Sequence, residues 1–294
     1  MLYVEPEDGI RPVLDFIAKC EKSLSINCYL IDDPNVMTEI RKAVERKVKV
    51  RIMVDGKPYG GDGSKGELDT LKGTGASVKI APQRFEGKET FDHAKYMVSE
   101  RFAEIGTANL TEAAFQKNRE YIYETDHKKV VKSLQTIFNA DWNSSEAGSL
   151  PRTDLVVSPG SEPVLSSFIR DHGKVFIETE EMGDDKAVLE VLKSKGSRLR
   201  IIVPETVSGG DLTNLMELEK HGVNVRYMPA NKLYMHAKLI IAGNSFFIGS
   251  QNFSTSSLNH NREVGLIIKK RKYLKVVRRT FAKDWKASSK KVEN

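Results

Sequence analysis

HAKYMVSERFAEIGTANLTEAAFQKNREYIYE at 93–124 and HAKLIIAGNSFFIGSQNFSTSSLNHNREVGLI at 236–267 are the stretches whose reading decides the fold. Laid on one another at a constant offset of 143, they match His93 to His236, Lys95 to Lys238, Gly106 to Gly249 and Asn109 to Asn252. Asn118-Arg119-Glu120 falls on Asn261-Arg262-Glu263, and further on Asp141-Trp142 falls on Asp284-Trp285. Most of the matched residues are polar, so a shared core pattern does not force the match. An internal duplication does.

The repeat extends upstream with small shifts. LKGTGASVKIAP (71–82) resembles LEKHGVNVRYMP (218–229), and VKVRIMVD (48–55) resembles SRLRIIVPE (197–205). PVLDFIAKCEKSLSINCYLI (12–31) resembles PVLSSFIRDHGKVFIETEEM (163–182). The chain therefore divides into an N-terminal half, 1–150, and a C-terminal half, 151–294, joined near Ser149–Pro159 where Gly, Ser and Pro gather. Within a half, helices are expected at 10–22, 35–47, 66–73 and 127–141. Strands are expected at 24–31, 48–55 and 77–82, at HAKYMVS and at FAEIGT. The alternation predicts an α/β protein of two similar halves, each a mostly β central sheet flanked by helices, packed with pseudo-two-fold symmetry.

Each copy supplies a His, a Lys two positions on, a Gly-Thr/Ser-x-Asn turn and an Asn-Arg-Glu. Residues two apart on a strand share a face, so each His and Lys would project together. Two-fold packing would then gather two imidazoles, two ammoniums and two carboxamides in one pocket. That set suits phosphodiester chemistry. One imidazole can attack phosphorus while the other protonates the leaving oxygen. Lysines and asparagines can hold the non-bridging oxygens. Glu120 and Glu263 can accept Nδ1–H and leave Nε2 for the substrate. The two histidines must start in opposite protonation states, for which coupled titration around the phosphate is one source. Two His and two Glu could also ligate a metal, but a lysine beside each His would repel a cation. No metal and no cofactor are therefore expected. His127, His172 and His221 read as structural, and His260 as a loop residue.

At these residues the sequence resembles the phospholipase D superfamily, with its HxK(x)4D motif followed by a Gly-Ser/Thr-x-Asn block. The resemblance covers both halves. It implies one site across a pseudo-two-fold axis, with His93 as the nucleophile that becomes phosphohistidine and His236 as general acid and base. It implies that Lys95, Lys238, Asn109 and Asn252 bind phosphate, that Thr107 and Ser250 support them, and that Glu120 and Glu263 orient the histidines. One departure stands out: where the motif has aspartate, this chain has Glu100 and Gly243.

Composition leaves the substrate open. The 294 residues carry a net charge of +6, from 46 basic and 40 acidic residues, and the pI is about 9.1. That balance favours polyanionic partners. The basic run KKRKYLKVVRRTFAKDWKASSKK (269–291) reads first as a solvated helix face, and more sharply as a nucleic-acid or lipid contact. Cys20 and Cys28 lack metal-ligand spacing and read as buried thiols. No apolar run approaches the roughly 18–20 residues that span a bilayer, and MLYVEPEDGIRP lacks the features of a signal peptide. A cytoplasmic protein without stable membrane insertion is expected, with a monomer sufficient for a complete site. Rim loops 83–92 and 230–234 offer Arg84, Phe85, Lys88, Lys232 and Tyr234 to grip and stack on a single strand. Gly-rich segments 56–67 and 207–213 read as mobile lips. The reading favoured here is a metal-independent nuclease with DNA or RNA as substrate. The alternative is a phospholipase D or phosphatidyltransferase acting on phospholipid head groups.

Overall fold

The computed structural model describes residues 1–58 and 65–290, and for Lys65 and Glu67 the backbone only. Strands of the first half are β1 (Leu2–Glu5), β2 (Ser23–Cys28), β3 (Lys49–Val54), β4 (Ser77–Ile80), β5 (Lys95–Ser99), β6 (Ala103–Gly106) and β7 (Asn118–Thr125). They form one mixed sheet in the order β1-β7-β6-β5-β2-β3-β4. The second half supplies β8 (Leu155–Ser158), β9 (Val175–Thr179), β10 (Leu199–Pro204), β11 (Asn224–Met228), β12 (Tyr234–Met235), β13 (Lys238–Ala242), β14 (Ser245–Gly249) and β15 (Glu263–Ile268). Its sheet runs β11-β10-β9-β13-β14-β15-β8, which is the first order with each strand replaced by its repeat counterpart. The short β12 leaves its own half and pairs with β7.

Strands β5, β13 and β14 are apolar almost throughout because both faces are covered. Leu239 and Ile241 point between the sheets, whereas Ile240 and Ala242 point to the outer helices. Three apolar layers result. The central one joins the inner faces of both sheets with helices α5 and α10. The outer ones hold α1–α4 against the first sheet and α6–α9 against the second. The helices are α1 (Arg11–Ala18), α2 (Pro34–Glu45), α3 (Lys65–Lys72), α4 (Glu112–Gln116), α5 (Lys128–Trp142), α6 (Glu162–Arg170), α7 (Lys186–Lys195), α8 (Gly209–Lys220), α9 (Thr255–Asn259) and α10 (Arg271–Ala287). On α10, Leu274, Val277, Phe281 and Asp284 recur at helical spacing and are buried, while the basic residues between them face outward. Cys20 and Cys28 are buried free thiols.

Several expectations change. The Asn-Arg-Glu blocks open strands β7 and β15, which the sequence reading left unassigned. It also missed β1 and β8. β8 lies inside the expected joint at 149–159, because it closes the edge of the second sheet against β15. Segment 207–213 is not a lip: helix α8 begins within it, at Gly209. The centre of the other expected lip, 59–64, lies outside the described residues.

The two motif departures have local reasons. Glu100 lies just after β5, where it accepts hydrogen bonds from the amide and hydroxyl of Ser23. Gly243 turns between β13 and β14 at φ +54, and a Cβ there would fall 2.2 Å from the His172 ring. No side chain fits that place. Gly106 and Gly249 have a different requirement: a Cβ would meet Tyr121 O or Gly265 Cα of the neighbouring strand at 2.5 Å.

Candidate active site

Each HxK segment leaves its own sheet and crosses to the other half. The backbone N–H of His93 donates to Arg262 O at 2.9 Å, and that of Arg262 donates to Phe91 O at 3.0 Å. The repeat-related contact is the pairing of β12 with Asn118 and Arg119 of β7. This crossing decides the partners of the histidines. His93 Nδ1 lies 3.0 Å from Glu263 Oε2, so the first-half histidine uses the second-half glutamate. His236 Nδ1 stands 2.6 Å from Glu120 Oε1, off the ring N–H axis. The His–Glu pairs are thus assembled across the two-fold axis, not within a repeat.

The remaining residues of each block hold this exchange in place. Asn261 and Ser257 donate to Glu263 at 3.1 and 2.7 Å, and Asn118 and Thr107 donate to Glu120. Arg262 reaches both oxygens of Asp141 at 2.8 and 3.0 Å, and Arg119 reaches both of Asp284 at 2.7 and 3.0 Å. All four side chains are essentially buried. This explains the repeated Asp-Trp: each aspartate, at the end of its closing helix, anchors the arginine of the opposite half. Each tryptophan stacks on a phenylalanine one turn earlier, Trp142 on Phe138 and Trp285 on Phe281.

Between the crossed segments lies a cleft of about 640 Å³ lined by His93, His236, Asn109 and Asn252, with Tyr29, Phe91 and Ser257 among its walls. Four of the motif residues expected to meet the substrate therefore converge in the cleft lining. Asn109 and Asn252 are buried, and their Oδ1 atoms find no hydrogen bond among the described residues. Lys95 and Lys238 start their strands one layer deeper, each bonded to the carbonyl of its own motif histidine at 2.7 and 2.8 Å. Thr107 and Ser250 do not line the cleft. Both are fully buried, and their hydroxyls brace the strands that carry Glu120 and Glu263, so they act at one remove from any substrate.

Burial drives the charge states here. It lowers the pKa of His93 despite the raising effect of Glu263, which favours neutral imidazole. Burial, reinforced by Lys238, pushes Lys95 down to about 8. Burial would raise Glu263, but His93 beside it holds the carboxyl below its ordinary value.

Sequence reasoning missed Glu180, which follows β9. Its Oε2 lies 2.7 Å from Lys238 Nζ and 3.2 Å from His236 Nε2. Its repeat counterpart is Tyr29, so duplication gave no signal. Burial would raise its pKa, but His236 and Lys238 hold it well below the usual carboxylate range.

The basic and aromatic rim expected for a nucleic acid is largely committed elsewhere. Arg84 pairs with Asp141 at 2.7 Å, and Phe85 is buried beneath the Arg262 guanidinium. Lys232 bonds Ala287 O, and the Tyr234 hydroxyl donates to Glu180. Lys88 is exposed in a separate hollow with Asp55 and Glu86. His260 is exposed and lies outside the cleft lining. His127, His172 and His221 stand at or near helix ends, away from the site. Apart from the histidines, the charged residues lining the cleft among the described residues are all acidic: Glu89, Glu180, Glu181, Asp184 and Asp211. Burial and Glu180 push Glu181 up to about 7.

A family model described as "Cardiolipin synthase, PLD-like domain" matches residues 13–142 and 174–285. The chain belongs to the phospholipase D superfamily. A cardiolipin synthase of Clostridium perfringens is 23% identical over 98% of this chain and 71% of its own length. Two solved structures share the phospholipase D-like fold at low identity. Phosphatidylserine synthase of Haemophilus influenzae has a TM-score of 0.71 at 11% identity, covering 95% of this chain and 84% of that one. Polyphosphate kinase of Porphyromonas gingivalis has a TM-score of 0.71 at 14% identity, covering 97% of this chain and 50% of that one. The two-halved α/β fold expected from the repeat, and the phospholipase D type that the resemblance implied, are what is observed.

Proposed function

We propose that this phospholipase D-type enzyme transfers or hydrolyses the phosphatidyl group of glycerophospholipids, without a metal, through a phosphohistidine on His93. Neutral Nε2 of His93 attacks phosphorus as the bond to the head-group oxygen breaks. The proton on His236 Nε2 passes to that oxygen. An acceptor alcohol or water then gives its proton to His236 as its oxygen attacks phosphorus, and the P–N bond breaks. Lys95, Lys238, Asn109 and Asn252 neutralise and hold the non-bridging oxygens. Glu263 and Glu120 fix the tautomers from opposite halves.

The acidic cleft rim carries the choice of lipid over nucleic acid. A polyanionic strand passing His93 and His236 would run past five carboxylates and meet no surface lysine or arginine among the described residues of the lining. The basic character lies elsewhere. Segment 269–290 holds ten lysines and arginines against Asp284 alone, more positive charge than the whole chain's +6, and none of them lines the cleft. The remainder of the chain is net acidic. The cardiolipin synthase names borne by the matching family model and by relatives point the same way. The nuclease reading therefore has less support than its alternative. Among the described residues no helix is long and apolar enough to cross a membrane.

A substrate panel tests this reading. In EDTA, phosphatidylglycerol in mixed micelles with excess glycerol should release or exchange its head group. Single- and double-stranded oligonucleotides should stay intact at the same enzyme concentration. Oligonucleotide cleavage with no lipid turnover would reverse the assignment.

A further inference from the structure

The chemistry needs the two histidines to differ, yet the repeat makes their His, Lys, Asn and Glu alike. The difference has to come from a position where the halves diverge. β2 pairs with β5 so that Cys28 lies opposite Lys95, and β9 pairs with β13 so that Thr179 lies opposite Lys238. The residue that follows is Tyr29 in one half and Glu180 in the other. They occupy equivalent places, and the alignment of 12–31 with 163–182 gives the same pairing.

Their contacts are opposite in kind. The Tyr29 ring meets His93 edge-on, with centroids 4.8 Å apart, and Lys95 Nζ lies 5.2 Å from its centre. Glu180 places one carboxylate oxygen against both His236 Nε2 and Lys238 Nζ, and the other accepts from Tyr234 at 3.2 Å. His236 thus has Glu120 on Nδ1 and Glu180 on Nε2, with Lys238 beside it. His93 has Glu263 on Nδ1 and an aromatic wall. Two carboxylates thus face the ring nitrogens of His236, whereas burial beside a phenol ring and a lysine lowers the pKa of His93 toward neutral imidazole.

We infer that this divergent position assigns the two roles. Glu180 aims its carboxylate at Nε2 of His236, marking that histidine as the proton donor, and occupies the phosphate-binding atoms until a phosphodiester displaces it, while the wall of Tyr29 leaves His93 as the nucleophile. Glu180 acts as a resident anion. It touches the same ammonium and ring nitrogen that a phosphate oxygen must reach, so the two compete. Once the carboxylate yields, the Nε2 proton is delivered to the leaving oxygen. Like-charge repulsion between Glu180 and phosphate gives the free site a bias against stray inorganic phosphate. Glu180 is a positioning residue: it sets which histidine starts protonated and takes no part in the bonds that break.

The inference rests on the phosphohistidine reading above, and two measurements separate their fates. Glu180→Gln keeps the shape and removes the competing charge. Inorganic phosphate should then bind about tenfold more tightly by calorimetry. The second variant exchanges the halves' identities, Tyr29→Glu with Glu180→Tyr. After reaction with a p-nitrophenyl phosphodiester and alkaline quench, peptide mapping should find the phosphoryl label on His93 in the native protein. In the exchanged variant the label should move to His236. A label still confined to His93 in the folded exchanged variant overturns the inference, as does unchanged phosphate affinity in Glu180→Gln. No label on either histidine of the native protein would instead sink the phosphohistidine reading.

Discussion

His93→Ala should lower phosphatidyl turnover by about 10⁴-fold or more while leaving phosphate affinity within a few-fold. The attacking atom is lost, but Lys95, Lys238, Asn109 and Asn252 remain where they are. Glu263 stays anchored by Asn261 and Ser257 at 3.1 and 2.7 Å, so the wall behind the histidine should persist. Steady-state kinetics on micellar phosphatidylglycerol, paired with phosphate calorimetry, separate the two quantities. Turnover within tenfold of the native rate would remove His93 from the chemistry.

The second large effect is on stability. Arg119 is 1% exposed and Asp284 2%. Arg119→Leu strips Asp284 of both its guanidinium bonds, and it leaves the backbone carbonyl of Glu5 without its charged donor. Breaking one partner out of a buried pair costs about 3–5 kcal/mol, against a total folding stability on the order of 5–15 kcal/mol. Urea unfolding should show a loss in that range. The double variant Arg119→Leu with Asp284→Leu should recover much of it, because no uncompensated buried charge remains. A single variant that loses less than about 1 kcal/mol would show that this clamp between the halves is dispensable. Arg262 and Asp141 make the repeat-related clamp, but Asp141 also holds Arg84 at 2.7 Å, so Arg262→Leu should cost less.

What the sequence could and could not reveal follows from how the site is built. His, Lys, Asn and Glu recur at one offset, because each half must place the same groups around the axis. That made the composite site and its two sheets readable from polar matches alone. The repeat could not reveal which glutamate serves which histidine. A pattern that is identical in both halves looks the same whether Glu263 turns to His236 or, as observed, to His93. Glu180 was invisible for the converse reason: its counterpart is Tyr29, and a search for likeness passes over the place where the halves differ. The rim was misjudged because composition does not show commitment. Arg84 and Phe85 look available as letters, yet they are folded onto Asp141 and Arg262. The acidic lining comes from residues far apart in sequence, Glu89 and Asp211 among them, and only the fold gathers them. Strands β1 and β8 are short edge strands that cap each sheet, too brief for an alternation to register.

The central claim is that two histidines, one from each half, share a single metal-free phosphodiester site as nucleophile and acid. A p-nitrophenyl phosphodiester tests it directly, because nitrophenolate leaves without help from an acid. In EDTA, His236→Ala should release one nitrophenolate per enzyme in a burst and then stall at the phosphohistidine. His93→Ala should give no burst. Sustained turnover by His93→Ala, or a burst that vanishes with His236→Ala and persists with His93→Ala, would contradict the account.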